Sequence, residues 1–66
     1  MTTIKFTAAA RENIDETGID PQGDLDDVRG GMAADVLLEK CLDGADADRV
    51  QGWYDYVAAI VAEASR

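Results

Sequence analysis

Fourteen side chains of this 66-residue chain are carboxylates and none is an imidazole. Carboxylates can hold a hard cation, exchange protons, or present charge to a partner, and their spacing decides among the three. A calcium loop of the EF-hand type needs oxygen ligands at positions 1, 3 and 5, glycine at 6 and glutamate at 12. A loop starting at Asp24 places Asp26 correctly but puts Val28 at the fifth position and Arg29 at the sixth. A loop starting at Asp20 uses Gln22 and Asp24, yet Leu25 takes the glycine position and Gly31 the glutamate position. Neither frame closes around calcium, so no metal ligand set is assigned. The single cysteine, Cys41, has no second thiol for an intrachain disulfide and no imidazole or thiol to share a zinc ion. Its expected place is a small core residue in a reducing compartment.

Proton transfer fares no better. Adjacent carboxylates such as Asp26 and Asp27 split their acidities only inside a concave apolar site, and outside one both simply ionise. A first-turn position, where the helix dipole favours negative charge, accounts for them. No glycine-rich phosphate loop exists either: neither the Gly18–Gly23 stretch nor Gly30-Gly31 leads into lysine followed by serine or threonine. The expectation is a protein that is not an enzyme, with no catalytic residue and no cofactor.

Charge presentation remains, and here the pattern is uneven. The run from Glu12 to Asp27, ENIDETGIDPQGDLDD, contains seven carboxylates and no lysine or arginine, with Arg11 and Arg29 just outside it. The formal net charge is -8. A surface of that sign repels nucleic acid and anionic membrane and attracts a basic protein face. Three groups could form stripes: Glu12, Asp15 and Glu16; Asp24, Asp26 and Asp27; and Asp35 with Glu39, continued toward Asp43. Helical residues four apart have Cβ atoms about 5–6 Å from each other. Phosphates along one nucleic-acid strand recur at about 3.4 Å of axial rise. A rigid helix with acids in stripes can therefore offer an array that a DNA-binding groove accepts. The competing reading is that the charge serves solubility alone.

The elements that must position these acids follow from the punctuation. Ile4 and Phe6 flank Lys5 in alternation, so Thr2 to Phe6 could be a short extended segment that packs across the helices. Thr7 is an N-cap for a helix over Ala8 to Thr17, closed by Gly18. Gly18 to Gly23 reads as a turn, and a second helix is expected from Asp24. Gly30-Gly31 then kinks that helix or divides it in two, with Met32 to Leu42 as the second part offering Val36, Leu37, Cys41 and Leu42 to the core. Asp43-Gly44-Ala45 ends it, and Asp46 can cap the last helix. There Val50, Trp53, Tyr54, Val57, Ile60 or Val61, and Ala64 trace one apolar face. Asp48, Asp55 and Glu63 look outward, and Tyr56 falls on the polar side as an exposed contact residue. The fold expected is a single all-α domain over residues 1–66, a small bundle of three or four helices. No apolar run reaches membrane-spanning length and no basic, then apolar, leader opens the chain.

The opening Ile4-Lys5-Phe6-Thr7-Ala8-Ala9-Ala10 is similar to the start of A-type iron–sulfur carriers, whose cluster-binding cysteines are absent here. The tract Asp43-Gly44-Ala45-Asp46-Ala47-Asp48-Arg49-Val50-Gln51-Gly52-Trp53-Tyr54-Asp55-Tyr56 resembles a segment of phage anti-CRISPR proteins that act as DNA mimics. There too, an Asp/Ala-rich run leads into a helix with a glycine and then aromatics around an aspartate. In size and charge the whole chain is similar to the small acidic inhibitors of type I CRISPR surveillance complexes (Cascade). The resemblance implies a cytoplasmic protein of an infected bacterial host that binds the DNA-gripping surface of Cascade. Glu12, Asp15, Glu16, Asp24, Asp26, Asp27, Asp35 and Glu39 are the partner-binding candidates. Two rivals stand beside this reading: an acidic antitoxin-like or regulatory module for another basic partner, and a small metabolic or metal-handling protein.

Overall fold

Thr7 sits in extended backbone, φ −69° and ψ 165°, and its Oγ1 accepts the Ala10 N–H at 3.2 Å. Helix α1 (Ala8–Thr17) therefore begins where its first turn has a side-chain acceptor, and it stops at Gly18, which takes φ 67°. The computed structural model describes residues 4–66: α1, then α2 (Pro21–Arg29), α3 (Ala34–Leu42), a 3₁₀ turn (Ala47–Arg49) and α4 (Val50–Ala64), a small all-α bundle. Among the described residues there is no strand. Ile4 and Phe6 pack onto the core instead, with the Phe6 ring stacked on Tyr56 at 5.4 Å between centroids. Thr2 and Thr3, where the extended segment was expected to start, lie outside the described residues.

The second helix starts earlier than its acids suggest. Pro21 occupies the first turn of α2, where its fixed φ suits the helix and its missing N–H costs nothing. Asp24 consequently donates its N–H to the Asp20 carbonyl at 3.1 Å, and Asp26 and Asp27 fall in the second turn, not the first. The expected turn over Gly18 to Gly23 is thus half helix. Gly30-Gly31 divides the following pattern in two, with Gly31 at φ 119°, and α3 begins at Ala34, leaving Met32 in the connection.

Helix α4 is the surface on which the others assemble. Trp53, Val57 and Ile60 are buried along its middle. At about 100° per residue, Tyr56 lies roughly 60° to one side of Trp53 and Tyr54 about 100° to the other. The protein closes over the Tyr56 side: Tyr56 is fully buried and meets Trp53 edge-on at 5.6 Å, whereas Tyr54 is 48% exposed. This reverses the expected roles of the two tyrosines. Glu63, expected to face outward, is buried on the same side and pairs with Arg66 at 3.3 Å. Leu25 of α2, Leu37 and Cys41 of α3, and Ala10 of α1 complete the core, but Val36 is 51% exposed and leaves it. Its position follows from helical spacing, since the Leu37–Cys41 line that faces α4 turns Val36 to the solvent side.

Helices α1 and α4 cross at Gly52. A Cβ at that position would lie 2.7 Å from the Ala9 carbonyl oxygen and would overlap Asn13 Nδ2. The missing side chain is what lets the two backbones approach, and it explains a glycine in a helix interior.

Candidate functional site

The eight acidic candidates divide by their surroundings. Arg49, carried by the 3₁₀ turn, reaches back to α1 and grips two of them, Glu12 at 3.4 Å and Glu16 at 3.3 Å. Its Nη1 also donates to Asn13 Oδ1 at 3.2 Å, and Asn13 Nδ2 donates to the Arg49 carbonyl at 2.9 Å. Asn13 is buried, so this reciprocal pair satisfies it and anchors the 3₁₀ turn to α1. The sequence reading missed Asn13 altogether; a polar residue on the Ala10 side of α1 was its only signal.

Asp24 leaves the candidate surface. It is buried, and the Tyr56 hydroxyl donates to its Oδ2 at 2.5 Å while Lys40 Nζ stands 3.8 Å from Oδ1. A buried carboxylate needs such partners, because an unpaired one would bear the full loss of hydration. Burial and the Asp24 carboxylate hold the Tyr56 phenol well above its ordinary range. Burial, with a further push from Asp24 that Lys40 partly opposes, raises the Cys41 thiol to about 11. Cys41 is thus an inert core thiol, as its lack of partners suggested.

Asp15, Asp26, Asp27, Asp35 and Glu39 keep exposed side chains and have no cationic partner among the described residues. Asp26 accepts from Gln22 at 3.1 Å, and Asp35 accepts the Val36 N–H at 3.1 Å. Asp20, Asp43, Asp46 and Asp48 are exposed in the same way and extend the acidic surface along the connections. Asp55, half-buried on α4, accepts from the Thr7 hydroxyl at 2.8 Å and from Gln51 Nε2 at 3.0 Å, both at the surface. The stripe that survives intact is on α3. Asp35 and Glu39 stand four residues apart on its solvent side and Asp43 follows in extended backbone at the C-cap, in one shallow depression with Val36, Leu38, Lys40 and Leu42.

Among the described residues no helix is long and apolar enough to cross a membrane. Set against known proteins, the chain matches no family model, no curated protein and no solved structure.

Proposed function

We propose that the chain binds a basic protein surface in the place of DNA, and that it does so as an anti-CRISPR inhibitor of a type I surveillance complex. The observation that carries this reading is the sorting of the acids. The few cations that form ion pairs are spent on Glu12, Glu16, Asp24 and Glu63. The remainder, Asp15, Asp26, Asp27, Asp35 and Glu39 on the helices together with the loop aspartates, stays exposed without a cationic partner among the described residues. Solubility alone would be served as well by interspersed signs, which add local pairs at no cost in net charge. The anti-CRISPR identity rests further on the resemblance of the Asp43–Tyr56 tract. The role proposed is binding, without catalysis or cofactor.

The test is competition. A type I surveillance complex loaded with labelled target DNA, or offered it after incubation with this protein, should release or refuse the duplex. That inhibition should weaken steeply with salt, because partner lysines and arginines that grip phosphate-like charge lose strength as ions screen them. Replacing Asp26, Asp27, Asp35 and Glu39 by Asn and Gln should abolish inhibition while leaving the helical circular dichroism spectrum unchanged. Simultaneous binding of protein and DNA, or indifference to salt and to the four replacements, would refute the mimic. Binding of a different basic protein without any DNA competition would favour the antitoxin-like or regulatory role.

A further inference from the structure

Helix α3 leaves an aliphatic side chain, Val36, uncovered beside exposed acids. Only Leu37 and Cys41 are buried in the core, and Leu38 and Leu42 are half-buried at its margin. Its solvent side carries Asp35 and Glu39, followed by Asp43 at the C-cap, with Leu42 beside them on one flank and Val36 on the other. Val36, at 51% exposure, and Tyr54 are the two exposed large hydrophobic residues among those described. Asp35 and Glu39, four residues apart, lie on one ridge of the helix surface, and neighbouring ridges define the groove into which a second helix packs. Asp35, Glu39 and the C-cap Asp43 bring three negative charges to this face against one cation among the described residues there, Lys40, which lines the same depression and stands 3.8 Å from Asp24 Oδ1. The complement of this face is a cationic row flanked by aliphatic side chains. The same charge argues against a second copy of this chain as occupant, since two such faces would repel.

We infer that the outward face of α3 with its C-cap, Asp35, Val36, Glu39, Leu42 and Asp43, is a docking surface for a partner protein's helix that carries lysine or arginine at four-residue spacing beside a row of aliphatic residues. This rests on the reading of the chain as a binder of basic protein surfaces and narrows it to one face and one partner chemistry. The charges steer the encounter and fix the register, and Val36 and Leu42 supply apolar contact that salt does not screen. Binding at this face therefore keeps a salt-resistant component that a purely phosphate-like array lacks.

Two synthetic probes test it with the ¹⁵N-labelled protein: a helical peptide with lysines and leucines each at four-residue spacing, and an oligolysine of equal charge. The leucine-bearing peptide should bind more tightly, and its amide shift changes should concentrate between Asp35 and Asp43. Val36→Ser, an exposed position whose replacement leaves the core intact, should weaken that peptide roughly three- to tenfold, as expected for losing part of a buried aliphatic side chain. Oligolysine binding should be unaffected, and Tyr54→Ser should change neither. Equal affinity for the two peptides, absence of binding, shift changes spread evenly over Asp15, Asp26 and Asp27, or an unaffected Val36→Ser variant would each overturn the inference. The two readings fail separately. If the unaltered chain and Val36→Ser displace DNA from a surveillance complex equally, the mimic stands and the α3 face is removed from it. Peptide docking at α3 without any DNA displacement leaves this surface standing and removes the mimic.

Discussion

Two glycines inside helices should respond to alanine in opposite directions. Intrinsic helix propensity alone predicts a gain of about 1 kcal/mol at each. At Gly23 in α2, a Cβ meets only the Asp20 carboxylate, with Oδ2 at 3.0 Å, and that side chain can rotate away. Gly23→Ala should therefore realise most of the gain. At Gly52 the obstacle is backbone: the Ala9 carbonyl oxygen at 2.7 Å and its carbon at 3.0 Å, with Asn13 Nδ2 also in the way. An ordinary carbon–oxygen separation requires α1 and α4 to move apart by several tenths of an ångström, and overpacking of that kind costs about 1–3 kcal/mol. Displacing Asn13 also loosens its bond to the Arg49 carbonyl, about 1 kcal/mol more. Set against the propensity gain, Gly52→Ala should lose about 1–3 kcal/mol net. For a domain of this size 1 kcal/mol moves the melting temperature by about 4–8 °C. Thermal melts followed by circular dichroism should thus place Gly23→Ala above the parent by a few degrees and Gly52→Ala well below it. A Gly52→Ala protein that melts at or above the parent temperature would refute the close crossing of α1 and α4.

Tyr56→Phe removes the hydroxyl that serves buried Asp24 and should cost about 1.5–3 kcal/mol in denaturant unfolding, whereas Tyr54→Phe should stay within about 0.5 kcal/mol of the parent; equal effects would show the two tyrosines to be wrongly placed. Cys41 keeps its proton in the folded protein to about 11, against 9.0 for an unperturbed thiol, so above pH 9 the unfolded chain binds fewer protons than the folded one. Stability should then fall as pH rises from about 9 toward 11, and a Cys41→Ala variant should lose part of that fall. At neutral pH a thiol reagent should label Cys41 only as fast as the protein opens; rapid stoichiometric labelling of the folded protein would contradict its burial.

What was legible in the sequence was local. Thr7 and Gly18 bound α1 because capping chemistry acts within one turn, and Gly30-Gly31 divides the middle helices for the same reason. Pro21 was equally readable as a first-turn residue, and the weight given to the downstream aspartates hid it. The choice between Tyr54 and Tyr56 was not local. Both flank the Trp53–Val57–Ile60 line, and only the arrival of Phe6 and Asp24 from distant positions decides which side closes. The acids show the same limit. Their number and the gap in basic residues could be read directly, but Arg49 taking Glu12 and Glu16, and Tyr56 taking Asp24, depend on packing across more than thirty residues of chain. What remains exposed, and so able to meet a partner, is a tertiary property.

The position of α4 has a consequence for how the protein comes into being. Helices α1, α2 and α3 each rest on α4, and α4 is the last of the four to be synthesised. While only the first forty or so residues exist, Ala10, Leu25 and Leu37 have no surface to cover them, and helices of nine or ten residues are marginal alone in water. Until α4 exists, the carboxylates of the earlier segments repel one another and oppose collapse. The core can close only once Trp53 to Ile60 are available, and closing it joins partners such as Phe6 and Tyr56 that lie far apart in the chain. The acidity that hinders compaction would, over that interval, act as the chain's own guard against aggregation.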